Sequence, residues 1–219
     1  MATANKSGNL YLKLVPIMLS FFAMSFVDLV GTGTNFIKKD FGLSDTMAGL
    51  FPLMVFLWFL IFSVPTGLLM NRIGRRKTVL ISLVVTALAL LLPVLTIPMP
   101  HNTASFTIML VSFCLLGIGN AIMQVSLNPL LSNIVHGDRL ASALTLGQFV
   151  KAIGSFVAPI IAGWAALEFG NWKLLYPIFT GISILAVLSL GVTKIEEEDE
   201  KGEASTFRQC LALLGNGFV

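Results

Sequence analysis

Charge is what this sequence lacks. Asp, Glu, Lys and Arg make up only 11% of its 219 residues, against about 25% in a water-soluble domain, which excludes an ordinary soluble fold. Cysteine is nearly as scarce. Of the two present, Cys114 falls inside an apolar run and Cys210 near the end of the sequence, so a disulfide framework is excluded. His101 and His136 stand apart from other ligand-type side chains. No metal site or cofactor is expected, and with no nucleophile–base pairing no enzyme is expected either. The net charge of +3 comes from short basic loops rather than a basic patch, so no nucleic-acid partner is expected.

What the sequence has instead is hydrocarbon. Hydrophobic residues reach 56% and the mean hydropathy is +0.88. Six apolar runs cover 14–36, 47–70, 79–98, 106–135, 143–167 and 174–192, each long enough for a bilayer core of about 30 Å. They lack the alternation of barrel strands and are about twice their length. Lipid also offers no partners for open backbone groups. The predicted fold is therefore an all-α membrane protein, a six-helix transmembrane bundle. The first run contains Asp28, is too long for a signal-peptide core and ends without a small-residue cleavage site.

Basic residues predict the orientation. With a cytoplasmic N-terminus, the inner side holds Lys6, Lys13, Arg72, Arg75, Arg76, Lys77, Arg139, Lys194, Lys201 and Arg208, and the outer side only Lys38, Lys39 and Lys173. The bundle is expected over 1–193. An acidic cytoplasmic linker, "KIEEEDEKGEAST", follows over 194–206. Residues 207–219 read as the truncated start of a seventh span, which makes the chain the first part of a larger protein. The first and fourth runs carry their polar side chains at mid-depth, and each precedes a more uniformly apolar run. This pattern suggests two inverted three-helix repeats.

Two charges interrupt the runs: Asp28 in "LSFFAMSFVDLVGTGTNF" and Lys151 in "LTLGQFVKAIGSFVAPII". A charged side chain at mid-bilayer costs about 2.5–3.5 kcal/mol on insertion scales. Asp28 is therefore a candidate proton carrier rather than a mere helix-to-helix hydrogen bonder. Pairing with Lys151 is expected to offset both desolvation costs, and a proton or a substrate would switch such a pair. Asn120, Gln124 and Asn128 recur at i, i+4, i+8, which predicts an amide stripe. Carboxamides donate and accept, which suits sugar hydroxyls; the alternative is interhelical glue worth about 0.6 kcal/mol per bond. Gln148, Lys151 and Ser155 share one face of the fifth run. Trp172 and Tyr176 are expected in an outer interfacial belt.

The loop "GLLMNRIGRRKT" between the second and third runs resembles the signature loop of the major facilitator superfamily. Gly67, Arg72, Gly74, Arg75 and Arg76 match it, and Asn71 stands where an acid is usual. Within that superfamily the chain looks most like the fucose–proton symporter family, which includes glucose/galactose transporters. Asp28, "GIGNAIMQVSLNPLL" and "LTLGQFVKAIGSF" carry the likeness. Gln124 replaces a glutamate of the fucose branch, and Lys151 an asparagine that would contact sugar.

The resemblance implies proton-coupled sugar uptake by alternating access, in the bacterial-type inner membrane. Asp28 and Lys151 would couple the proton; Asn120, Gln124, Asn128 and Gln148 would bind substrate hydroxyls; the basic loop would brace a cytoplasmic gate. The implied partners are a sugar, a proton, the lipid bilayer and a missing C-terminal six-helix bundle. The alternatives are sodium coupling, an acidic sugar held by Lys151, or a membrane scaffold that transports nothing.

Overall fold

The computed structural model describes residues 2–195 and Glu197. Most of the expected linker and all of the expected seventh span, 207–219, lie outside the described residues. Among the described residues six helices are long and apolar enough to cross a membrane: α1 (Leu10–Phe41), α2 (Asp45–Ile73), α3 (Arg75–Leu95), α4 (Thr103–Ser132), α5 (Arg139–Phe169) and α6 (Trp172–Val192). No strand occurs among the described residues. The chain folds as the all-α six-helix bundle predicted from its apolar runs.

The helix ends follow local chemistry rather than hydropathy. α1 outlasts its apolar run because Lys38 and Lys39 lie in its last turn, where cations favour the dipole. It stops where Gly42 turns left-handed at φ +60°. α3 ends before the predicted 98, since the Thr96 hydroxyl donates to the Pro93 carbonyl at 2.8 Å. α4 starts from a reciprocal capping box between Asn102 and Ser105. Within α1, Ser25–Leu29 is wound as a 3-10 turn between two α-helical stretches.

Apart from α5 and α6 beside their short connection, the closest helix pairs are α3–α4, α2–α4, α3–α6, α1–α5 and α1–α6. Exchanging α1 with α4, α2 with α5 and α3 with α6 maps this set onto itself. That is the contact pattern of two three-helix repeats. α1 and α4 hold the middle, with 61% and 56% of their most apolar windows buried, whereas α2 and α5 are only 17% and 22% buried.

Close approach depends on missing side chains. A Cβ on Gly117 would lie 2.5 Å from the Val55 carbonyl oxygen, and one on Gly154 would lie 2.0 Å from the Ser25 hydroxyl. These glycines set α4 against α2 and α5 against α1. The Ser112 hydroxyl donates to the Ala89 carbonyl at 2.7 Å across α4 and α3. Phe26 stacks on Phe179 at 4.1 Å between α1 and α6.

One aromatic expectation needs correcting. Trp172 and Tyr176 are only 4% and 3% exposed, so they do not face an interfacial belt. The Trp172 ring stacks on Phe36 at 5.1 Å and its indole N–H donates to Asp40 at 2.8 Å. The indole's polar edge found its partner inside the bundle, at the end where α1 stops and α6 begins, which removes its reason to seek headgroups.

Candidate functional site

Asp28 sits on the 3-10 turn of α1. On the facing helix, Gly147 and Gly154 leave room for Phe21 and Ser25, and that close seating brings Asp28 against α5. The Ser155 hydroxyl donates to Asp28 Oδ2 at 2.5 Å, and Lys151 Nζ lies 3.7 Å from the same oxygen. The ammonium is thus within Coulombic reach but beyond a hydrogen bond. Ser155 has a second acceptor, the Lys151 carbonyl at 3.1 Å. Its single proton serves one acceptor at a time, so the hydroxyl can turn away if Asp28 is protonated.

The pair is half-buried: the side chain of Asp28 is 38% exposed and that of Lys151 20%. Every other charged residue between 10 and 193 falls in a loop or near a helix end. Asp28 and Lys151 therefore form an isolated ion pair inside two membrane-length helices, as the cost of lone charges led one to expect.

The amides divide. Gln124 and Asn128 on α4 and Gln148 on α5 are exposed. Asn120 is 2% exposed, and neither of its amide atoms hydrogen-bonds a described residue. The i, i+4 row drifts about 40° per step at 3.6 residues per turn, so Asn120 lies about 80° around α4 from Asn128. No hydrogen bond among the described residues joins these amides to Asp28 or Lys151. Ser155 shares the face of Gln148 and Lys151 in sequence, yet nothing there singles it out as the carboxylate's donor.

At the end of the bundle where α2 meets α3, Gly74 adopts φ +90°. The backbone N–H groups of Arg75 and Arg76 donate to the Glu197 carboxylate at 2.5 and 2.7 Å. A Cβ on Gly74 would stand 2.6 Å from Glu197 Oε2. The Arg76 guanidinium donates to the carbonyls of Leu190, at 3.1 Å, and Gly191, at 2.7 Å, and that of Arg75 to the Asn133 side-chain oxygen. Arg72 ends α2 in its last turn, and Gly67 lies in α2 with open space around its Cα. The loop thus ties α3 to α6, to the end of α4 and to the linker. Sequence alone did not mark Glu197, one acid in a run of five.

This cap carries a prediction. Glu197→Ala removes a carboxylate from the N-terminus of α3 and should cost about 1 kcal/mol. Hydrogen exchange at the Arg75 and Arg76 amides should rise while that of mid-α3 amides stays slow. Unchanged exchange at both amides would refute the cap.

A profile of the Major Facilitator Superfamily matches residues 17–216. The chain belongs to this superfamily. It is similar to a glucose/galactose transporter of Brucella abortus biovar 1 (strain 9-941), 29% identical over 126 residues, covering 57% of this chain and 29% of that protein. It is also similar to the lysosomal dipeptide transporter MFSD1 of Bos taurus, 25% identical over 187 residues, covering 84% of this chain and 38% of the relative. The chain thus spans well under half the length of these curated relatives.

Among solved structures, the fucose:proton symporter FucP in its outward conformation superposes with a TM-score of 0.72 at 17% identity, covering 94% of this chain and 56% of that one. A structure from work on proton-dependent oligopeptide transporters reaches 0.70 at 15% identity, covering 96% and 46%. At these identities the likeness concerns the fold: this superfamily member has the architecture of half a transporter, and is an integral, multi-pass membrane protein.

Proposed function

We propose that this chain is the N-terminal half of a secondary active transporter that couples sugar uptake to protons by alternating access. A second six-helix bundle would close the site, in the inner membrane and with the N-terminus cytoplasmic. The observation that carries this reading is the Asp28–Ser155–Lys151 contact within membrane-length helices. Asp28 takes up the proton from the outer side and releases it inside. Ser155 steadies the carboxylate, and the Lys151 ammonium stands 3.7 Å from it as its counterion. The exposed amides of Gln124, Asn128 and Gln148 offer donors and acceptors for hydroxyls, whereas Asn120 is buried apart from them. The basic loop with its Glu197 cap braces the cytoplasmic side. Both the glucose/galactose relative and the fucose:proton symporter fold support a sugar as cargo.

The test is uptake of labelled hexoses and their acid derivatives by the complete protein in liposomes. An inward proton gradient should drive accumulation, and a protonophore should abolish it. Accumulation that follows a sodium gradient instead, or no uptake of any sugar, overturns this reading.

The pair makes its own prediction. Asp28→Asn and Lys151→Gln should each lower thermal stability by leaving a charge unpaired, and the double variant should recover part of the loss. The expected coupling is about 0.5–3 kcal/mol. Simple additivity of the two losses would show that the 3.7 Å approach carries no energy.

A further inference from the structure

We infer that the cargo carries a single carboxylate, and that Lys151 receives it when the proton arrives on Asp28. This deepens the proposed reading as a proton-coupled transporter and rests on it. Three observations carry it. First, the Lys151 ammonium makes no hydrogen bond to any described residue; its approach to Asp28 is 3.7 Å. Second, the Asp28 oxygen nearest to it is already held at 2.5 Å by Ser155. Third, the ammonium is half-buried about one turn along α5 from the exposed Gln148, with no charge but Asp28 at its depth among the described residues. An ammonium there has donors to spare, and an anionic oxygen satisfies them best.

Charge counting then explains obligatory coupling. With the site empty, Asp28 is negative, Lys151 positive and the sum zero. A proton alone leaves the site at plus one, because Lys151 loses its counterion. The anion alone leaves it at minus one. Proton and anion together restore zero: neutral Asp28, with Lys151 facing the cargo carboxylate. A net charge at mid-membrane is expensive, so the empty and fully loaded forms cross readily and the half-loaded forms do not. The proton moves from the outer medium to Asp28 and leaves to the inner medium, and no bond in the cargo changes. A neutral sugar would instead load the site to plus one with each proton.

Two sources supply such an anion, an acid sugar and a short peptide whose amine is blocked. The complete protein in liposomes should be offered labelled D-glucuronate against D-glucose, and N-acetyl-dialanine against N-acetyl-dialanine amide, under an inward proton gradient. The expected result is that a carboxylate form is accumulated at least about tenfold over its neutral counterpart, equally well whether or not the membrane potential is clamped with potassium and valinomycin. Lys151→Gln should lower that uptake by about thirtyfold, and Lys151→Arg should retain more of it.

Preference for glucose, or uptake that carries current, overturns the inference while leaving proton-coupled sugar transport in place. N-acetyl-dialanine carried and glucuronate refused supports the carboxylate requirement and overturns the sugar. Uptake of none of the four overturns both. The comparisons with wild type need no variant, so poor folding of Lys151→Gln does not blunt the test.

Discussion

Asp28→Asn should abolish proton-driven accumulation, with an initial rate about a hundredfold below wild type. Asparagine keeps the size of the side chain and an oxygen for the Ser155 hydroxyl, which now sits at 2.5 Å. What it lacks is charge and the ability to release a proton. The variant therefore imitates the protonated carrier permanently, with Lys151 freed. Exchange of labelled for unlabelled cargo across the membrane should persist and lose its dependence on pH. The empty carrier, left with an uncompensated ammonium, should return slowly. The measurement is proton-driven uptake beside counterflow, at several pH values. Accumulation like that of wild type would remove Asp28 from the coupling scheme.

Gly117→Val should be the most damaging single change in the bundle. The obstacle is backbone: the Val55 carbonyl oxygen at 2.5 Å and its Cα at 2.8 Å from the added Cβ. No rotamer of a neighbour relieves that clash, so α4 and α2 must separate along this level. Overpacking of this kind costs about 1–3 kcal/mol, and here it opens one of the closest helix pairs in the bundle. The expected result is a clear fall in thermal midpoint in detergent. Gly31→Val should leave it nearly unchanged, since nothing lies within 4 Å of a Cβ there. Equal midpoints for the two variants would contradict the close α2–α4 contact.

Some of this was legible before any coordinates. Lipid demands contiguous apolar stretches and forbids open backbone, so six helices followed from hydropathy. Charge is so scarce that Asp28 and Lys151 identified themselves as partners, and the face holding Gln148, Lys151 and Ser155 includes the two residues that meet Asp28. Other features hid for physical reasons. Asn120 left the amide face because rows at i+4 drift around a helix, which spacing alone does not reveal. Trp172 turned inward because Asp40, 132 residues away in sequence, offered its indole a partner. Glu197 was one of several equivalent acids, and nothing local tells which of them reaches an N-terminus 122 residues distant. The tight winding at Ser25–Leu29 carries no glycine or proline.

That winding makes α1 a crank. A 3-10 turn advances about 120° per residue and an α-helix about 100°. Relaxing the five residues of Ser25–Leu29 to α geometry would swing the two stretches of α1 by about 100° relative to each other and shorten the joint by about 2.5 Å. Asp28, carried on the joint, would sweep away from α5. The C-terminal end of α1 is clamped to α6 through Phe36 and Asp40 on Trp172, so such a swing would have to be taken up by the N-terminal end of α1.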